Sequence, residues 1–383
     1  KIKTQYKQDW FGIVVSRSEL SRNLSLSGLL IVSDFGFRIS NLPSLALRLE
    51  PFEPLERPHC KLMLVRYIAH RIWQLIPVLI LVSVAVFLIV RIIPGDPVLV
   101  MLGVDPEERA RISEEQYQAL QQQLGFDRPV YVQYLNWLSK ILQGDLGLSL
   151  RSRRPIFEII FERYPATIYL AITALLTGLV IAIPMGVIAA IRQNTSADYV
   201  AMGFALWGIA MPNFWLALML IVLFSLKLGW LPSIGYASPL DDPFRFLQHV
   251  FLPAIVMGTD LAAPLTRYIR AEMLEQLKQD YVRTAWAKGL PSRMVIVKHA
   301  LKNSLIAAVT VVGLQTARLL GGSTIVETVF SWPGVGRLLI EGIYSRDYPI
   351  VQGSVLIIAV TYVFINLFVD IVYKWLDPRI KLE

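Results

Sequence analysis

The sequence predicts an all-α, polytopic membrane protein with about six transmembrane helices. Three observations predict it. Hydrophobic residues make up 55% of the 383 residues and charged residues 17%, whereas a soluble domain carries about a quarter charged. Apolar runs of the roughly 20 residues needed to cross a core about 30 Å thick recur along the chain. Lysine and arginine gather at alternate ends of these runs, as they do on the cytoplasmic side of inserted helices. The net charge of +8 is therefore read as a membrane-orientation signal, and lipid, not nucleic acid, is the expected surface partner. The single cysteine, Cys60, excludes an internal disulfide and a cysteine metal cluster. His59, His70, His249 and His299 form no HExxH, and no Gly-Lys pair supplies a phosphate-binding GxxxxGK[ST] loop. No metal, cofactor or catalytic residue is expected, and ATP is expected to bind elsewhere.

Residues 1–62 show no clear period and no ordered signal-peptide regions. They are expected to be a poorly ordered extension, with "MLVRYIAHRIWQLIPVLILV" from Met63 reading like a membrane-protein start. The spans are expected at Ile72–Ile93, Thr167–Ile191, Ala201–Leu226, Val250–Ile269, Leu305–Val326 and Ile350–Tyr373. Pro184, Pro212, Pro253 and Pro264 fall inside them and predict kinks, which neighbouring helices can accommodate. In domain terms, 63–93 is the first transmembrane helix, 94–166 an external loop and 167–374 the main transmembrane domain. That domain contains a loop at 270–304, and 375–383 form a tail. Lys61, Arg66 and Arg71, then Arg270 to Lys302, then Lys374, Arg379 and Lys381 fall on one side, which should be cytoplasmic. Both termini lie there.

Loop 94–166 is long enough to escape that charge rule. Ser113–Leu124 predicts a helix with Ser113 as N-cap and Glu114 and Glu115 in the first turn. Val130–Leu142 predicts another from its apolar spacing. The pairs Glu107–Glu108 and Glu114–Glu115 are neighbours in sequence and do not face each other on a helix, so a solvated face is expected there, not catalysis.

"DYVRTAWAKGLPSRMVIVKHALKNSL", residues 280–305, is a charged stretch between two apolar blocks. Asp280–Lys288 predicts a short helix with Tyr281, Val282, Ala285 and Trp286 on one face and Arg283, Thr284, Ala287 and Lys288 on the other. Gly289 can end it in the left-handed conformation. Pro291 blocks continuation, and Ser292 can cap a second helix whose stripe is Met294, Val297, Leu301 and Leu305. The residues alone leave two readings open. One is a platform for a soluble partner. The other is a basic loop resting on anionic lipid, at about 1 kcal/mol per Lys or Arg.

"DYVRTAWAKGL" followed by "VIVKHALKNSL" resembles the cytoplasmic loop of ATP-binding-cassette importer permeases. "VFSWPGVGRLLIEGIYSRDYPIVQG", "PGDPV", "GDLGLSL" and the ending "DPRIK" are similar to the dipeptide, oligopeptide and nickel branch. The resemblance covers roughly residues 63–383. It implies a type I ABC importer permease fold in a bacterial or archaeal cytoplasmic (inner) membrane. The implied partners are cytoplasmic ATPase subunits, a second homologous permease and an external substrate-binding protein. Peptides are the implied cargo, with glutathione, nickel complexes or glycosides as alternatives. It further implies that Tyr281, Thr284, Ala285, Trp286, Ala287, Lys288 and Gly289 form the ATPase-coupling element, with Trp286 standing where the family usually has Arg.

Asp260 and Arg318 fall inside predicted spans, where an ionisable side chain costs roughly 2.5–3.5 kcal/mol and usually faces the bundle or a wet cavity. Counting about 1.5 Å per residue puts them at similar depth. They are expected either to pair structurally or to line a translocation path. Glu327, nearer the outer end, is a candidate for an outer gate. Two rival classes remain. A secondary transporter would need no helix–Gly–helix loop. An intramembrane enzyme would need a nucleophile, base or metal set that Asp260 and Arg318 do not supply.

Overall fold

The computed structural model describes residues 57–92, 113–124 and 127–376. The chain divides into two compact units, Lys1–Leu62 and Met63–Glu383, and the helical bundle belongs to the second. "PGDPV", Glu107 and Glu108, the "DPRIK" ending and most of the expected N-terminal extension lie outside the described residues, as does the side chain of Arg318.

The architecture is helical. Helix α1 runs Arg57–Ile92, and two short helices follow, α2 (Glu114–Leu124) and α3 (Val130–Leu142). The long α4 (Ile156–Ile191) is followed by α5 (Ser196–Ala210) and α6 (Asn213–Leu220, continued as a π-helical segment Ile221–Lys227). Then come α7 (Pro243–Gln276) and the short α8 (Asp280–Ala287). Helix α9 (Lys302–Val329) is entered through Ser292–Met294 and a π-helical segment Val295–Leu301. Helices α10 (Val335–Tyr344) and α11 (Tyr348–Leu376) complete the chain. Among the described residues, Ile156–Ile191, Pro243–Gln276 and Tyr348–Val372 are continuous helices long and apolar enough to cross a membrane.

The expected single span Ala201–Leu226 is instead a broken one. Helices α5 and α6 meet at a bend of 107°. Proline explains it: Pro212 lacks an N–H, and the residue before a proline is pushed out of the helical region. Met211 is accordingly extended, with φ −82° and ψ 123°. Elsewhere prolines sit within unbroken helices, Pro165 and Pro184 in α4 and Pro253 and Pro264 in α7. Both helices also start earlier than the predicted runs, because their openings interleave apolar residues with charged ones, Glu158, Glu162 and Arg163 in α4 and Arg245 in α7, which lower the local hydropathy.

Helix α7 is the centre of the bundle. Its start is fixed by Asp242, whose Oδ1 accepts the Arg245 N–H at 3.0 Å, with Pro243 in the first turn. Small residues let α4 and α5 approach it closely, the usual means of packing helices in lipid. A Cβ at Gly186 would lie 2.8 Å from Ile269 Cβ, one at Gly258 2.9 Å from Thr177 Cβ, and one at Gly208 2.9 Å from Ala263 Cβ. The main core gathers Leu170, Leu252, Met257, Leu261, Leu265 and Trp332 between α4, α7 and the segment after α9.

Candidate coupling loop and translocation face

The loop after α7 is compact. Val282 and Ala285 of α8 pack with Val295, flanked by Leu277 and Leu290. The expected apolar face of α8 is thus half right: Val282 and Ala285 are buried, whereas Tyr281 and Trp286 stay on the surface. The Tyr281 hydroxyl donates to Gln276 Oε1 at 2.6 Å and accepts from Asn303 Nδ2 at 2.9 Å, joining the end of α7 to the start of α9. Arg283, Thr284, Trp286, Ala287 and Lys288 all face outward. Gly289 ends the helix at φ +75°, and its N–H donates to the Trp286 carbonyl at 2.9 Å. A Cβ there would meet nothing within 4 Å, so the demand for glycine comes from backbone conformation alone.

The expected stripe Met294, Val297, Leu301 and Leu305 forms only in its second half, where Leu301 and Leu305 are half-buried against the main core. Met294 and Val297 are exposed, and the buried positions are Val295, Ala300 and Ser304. The π-helical segment is the reason: its i→i+5 bonds lengthen the turn, so the inward face steps by five residues and then four.

One further contact positions this loop, and composition did not reveal it. Arg270, expected as one of the loop's basic residues, lies within α7 and grips Asp198 in the first turn of α5. Its Nε meets Oδ1 at 2.6 Å and its Nη2 meets Oδ2 at 2.7 Å. Asp198 Oδ2 also accepts the Asn194 N–H at 3.0 Å. The carboxylate side chain is only 3% exposed, so the bidentate pair is largely shielded from water. It fixes the last turns of α7, from which α8 hangs, to the turn joining α4 and α5. The only hint in the sequence was an acid placed just after Ser196, which reads as an ordinary first-turn residue.

At the opposite end of the bundle, Glu327 does not face open space. It is fully buried. Its Oε1 accepts from the Thr167 hydroxyl at 2.9 Å and its Oε2 from the Arg337 N–H at 2.9 Å. Thr167 Oγ1 in turn accepts the Val335 N–H at 2.9 Å. The carboxyl group of α9 thus caps the start of α10 and ties it to α4. Trp332 closes the cage by donating its indole N–H to the Ala166 carbonyl at 2.8 Å. Beside it, the Ser149 hydroxyl donates to Asp347 Oδ2 at 2.6 Å, which joins the "GDLGLSL" and "RDYP" segments. Asp260 is exposed on α7. Helix α3 forms as expected, and its Tyr134 and Trp137 pack against Phe87 of α1.

Residues 182–382 match the family described as binding-protein-dependent transport system inner membrane component, and residues 63–171 match that family's N-terminal region. The chain belongs to this family. Among its relatives, the dipeptide transport system permease protein DppB of Alkalihalophilus pseudofirmus is 42% identical over 335 residues, covering 82% of this chain and 99% of that protein. The glutathione transport system permease protein GsiC of Escherichia coli O6:H1 is 42% identical over 320 residues, covering 84% of this chain and all of that protein. A solved structure of the MetNI methionine ABC transporter in inward-facing conformations aligns with 57% of this chain and 96% of its own, at 20% identity and a TM-score of 0.47. As a member of this permease family, the chain is a multi-pass membrane component and not an enzyme.

Proposed function

We propose that this chain is the membrane-spanning subunit of an ATP-driven importer that moves di- or oligopeptides across the cytoplasmic membrane. The observation that carries the reading is the α8 platform. It is held from below by an apolar cluster, tied to α7 and α9 through Tyr281, and presents Thr284, Trp286, Ala287 and Lys288 outward. A segment built this way transmits a push on α8 directly into two membrane helices. Cytoplasmic ATPase subunits dock there, a second homologous permease completes the path, and an external binding protein delivers cargo. The platform and both termini face the cytoplasm. Transport is alternating access, with Asp260 and Arg318 on the path and Glu327 anchoring the outer gate. Trp286 contributes apolar contact where an arginine would contribute a charge. The dipeptide-permease relative supports peptide cargo. The glutathione-permease relative supports glutathione, itself a small peptide, as the second candidate.

The test is purification from native membranes followed by measurement of copurifying ATPase subunits and of cargo-stimulated ATP hydrolysis. Uptake by this chain in vesicles without any ATPase would make it a secondary transporter and sink the reading.

A further inference from the structure

Helix α7 is so enclosed that its exposed positions are informative. From Leu252 to Arg270 every residue is buried or half-buried except Asp260 and Arg267. These are seven residues apart, so they share a helix face and stand about 10 Å apart along the axis. Half-buried Pro264 separates them on that face. Asp260 lies near the middle of the 34-residue helix, and Arg267 lies two turns nearer the coupling loop. A charged group set against lipid in a spanning helix is expensive, and such residues face a wet cavity or a polar partner. A stretch that covers every apolar position from Leu252 to Ile269 and bares two opposite charges is not presenting a lipid surface.

We infer that Asp260 and Arg267 form a charge-reading pair on the wall of the translocation path. They take a cargo that carries an ammonium and a carboxylate at once, the ammonium at Asp260 and the carboxylate at Arg267. The spacing sets the cargo's size. An extended peptide advances about 3.3–3.6 Å per residue, so termini that address both charges belong to a peptide of two or three residues. A free amino acid, with both groups on one Cα, reaches only one of them. This inference rests on the importer-permease reading and deepens it, because it assigns charge selection to the permease itself.

The test uses the complex purified with its ATPase and second permease, carrying Cys60→Ser. Asp260→Cys, Arg267→Cys and the buried control Ala262→Cys are each treated with a cationic and an anionic methanethiosulfonate. Both test positions should react at least about tenfold faster than the control. The Asp260→Cys variant, which keeps Arg267, should prefer the anionic reagent, and the Arg267→Cys variant, which keeps Asp260, the cationic one. In vesicles, Asp260→Arg and Arg267→Asp alone should each lower trialanine uptake about tenfold or more, and the double reversal should recover part of it. Reaction as slow as the control would mean that the second permease seals this face, and the pairing with cargo would be wrong. Equal reaction with both reagents would also overturn it. If the parent complex carries no ATPase and takes up no trialanine, the importer reading itself fails, which is a separate result from either of these.

Discussion

The Glu327 cage makes a quantitative prediction. A Cβ added at Gly334 would overlap the Glu327 carboxyl group. Gly334 has φ −94° and ψ 177°, which alanine adopts freely, so Gly334→Ala is a steric perturbation and not a conformational one. Overpacking of this kind costs about 1–3 kcal/mol. Glu327→Ala instead leaves the Thr167 hydroxyl and the Arg337 N–H without their acceptor. Each buried donor so stranded costs about 1–3 kcal/mol, which makes at least about 2–6 kcal/mol, because the Ser323 hydroxyl and the Gly336 N–H lose the same acceptor. In the double variant the new methyl group occupies space the carboxyl group has left, and the overpacking cost disappears. The double variant should therefore be no less stable than Glu327→Ala alone, with an interaction energy of about 1–3 kcal/mol. Trp332 is buried beside the cage and hydrogen-bonded to Ala166, so its fluorescence reports local unfolding during denaturant titration in detergent. Effects that add to within about 0.5 kcal/mol would refute the contact.

Three other outcomes are expected. Gly289→Val places a β-branched residue at φ +75°, at a strain of roughly 1–2 kcal/mol; membrane yield should hold while uptake falls and ATP hydrolysis stops responding to cargo, and wild-type coupled import would restore the lipid-resting reading of the loop. Asp198→Ala strands Arg270 in a shielded site; breaking a buried pair costs about 3–5 kcal/mol, and the partial exposure of Arg270 favours the lower end, so a melting temperature equal to wild type would show that the pair holds nothing together. Expression from Met63 should give normal assembly and uptake, and loss of either in a side-by-side comparison would assign residues 1–62 a role.

The parts legible in the sequence were those governed by local rules. Gly289 announced its left-handed φ, Val130–Leu142 its helix, and Asp280–Lys288 a short helix whose end falls one residue earlier, at Ala287, because glycine and proline punctuate the chain and apolar spacing reports the period. The missed features depend on residues far apart in sequence. Arg270 looked like a loop cation because nothing near it in sequence reveals Asp198, 72 residues away. The cap that Glu327 makes on α10 was not visible because Thr167 is 160 residues distant. The first half of the inward stripe after Ser292 was misassigned for a different reason: a π-helical turn leaves no compositional mark, so an α-helical period was imposed on it.

That π-helical segment has a consequence for chain length. A π turn is an α-helix with one residue inserted. Deleting any one residue within Val295–Leu301 would regenerate an unbroken α-helical ladder leading into α9. It would also rotate everything before it by about 100° about the helix axis. Thr284, Ala287 and Lys288 would then point more than a quarter-turn away from their present direction, with every one of their side chains intact. At this point the platform depends on the count of residues as strictly as on their identity.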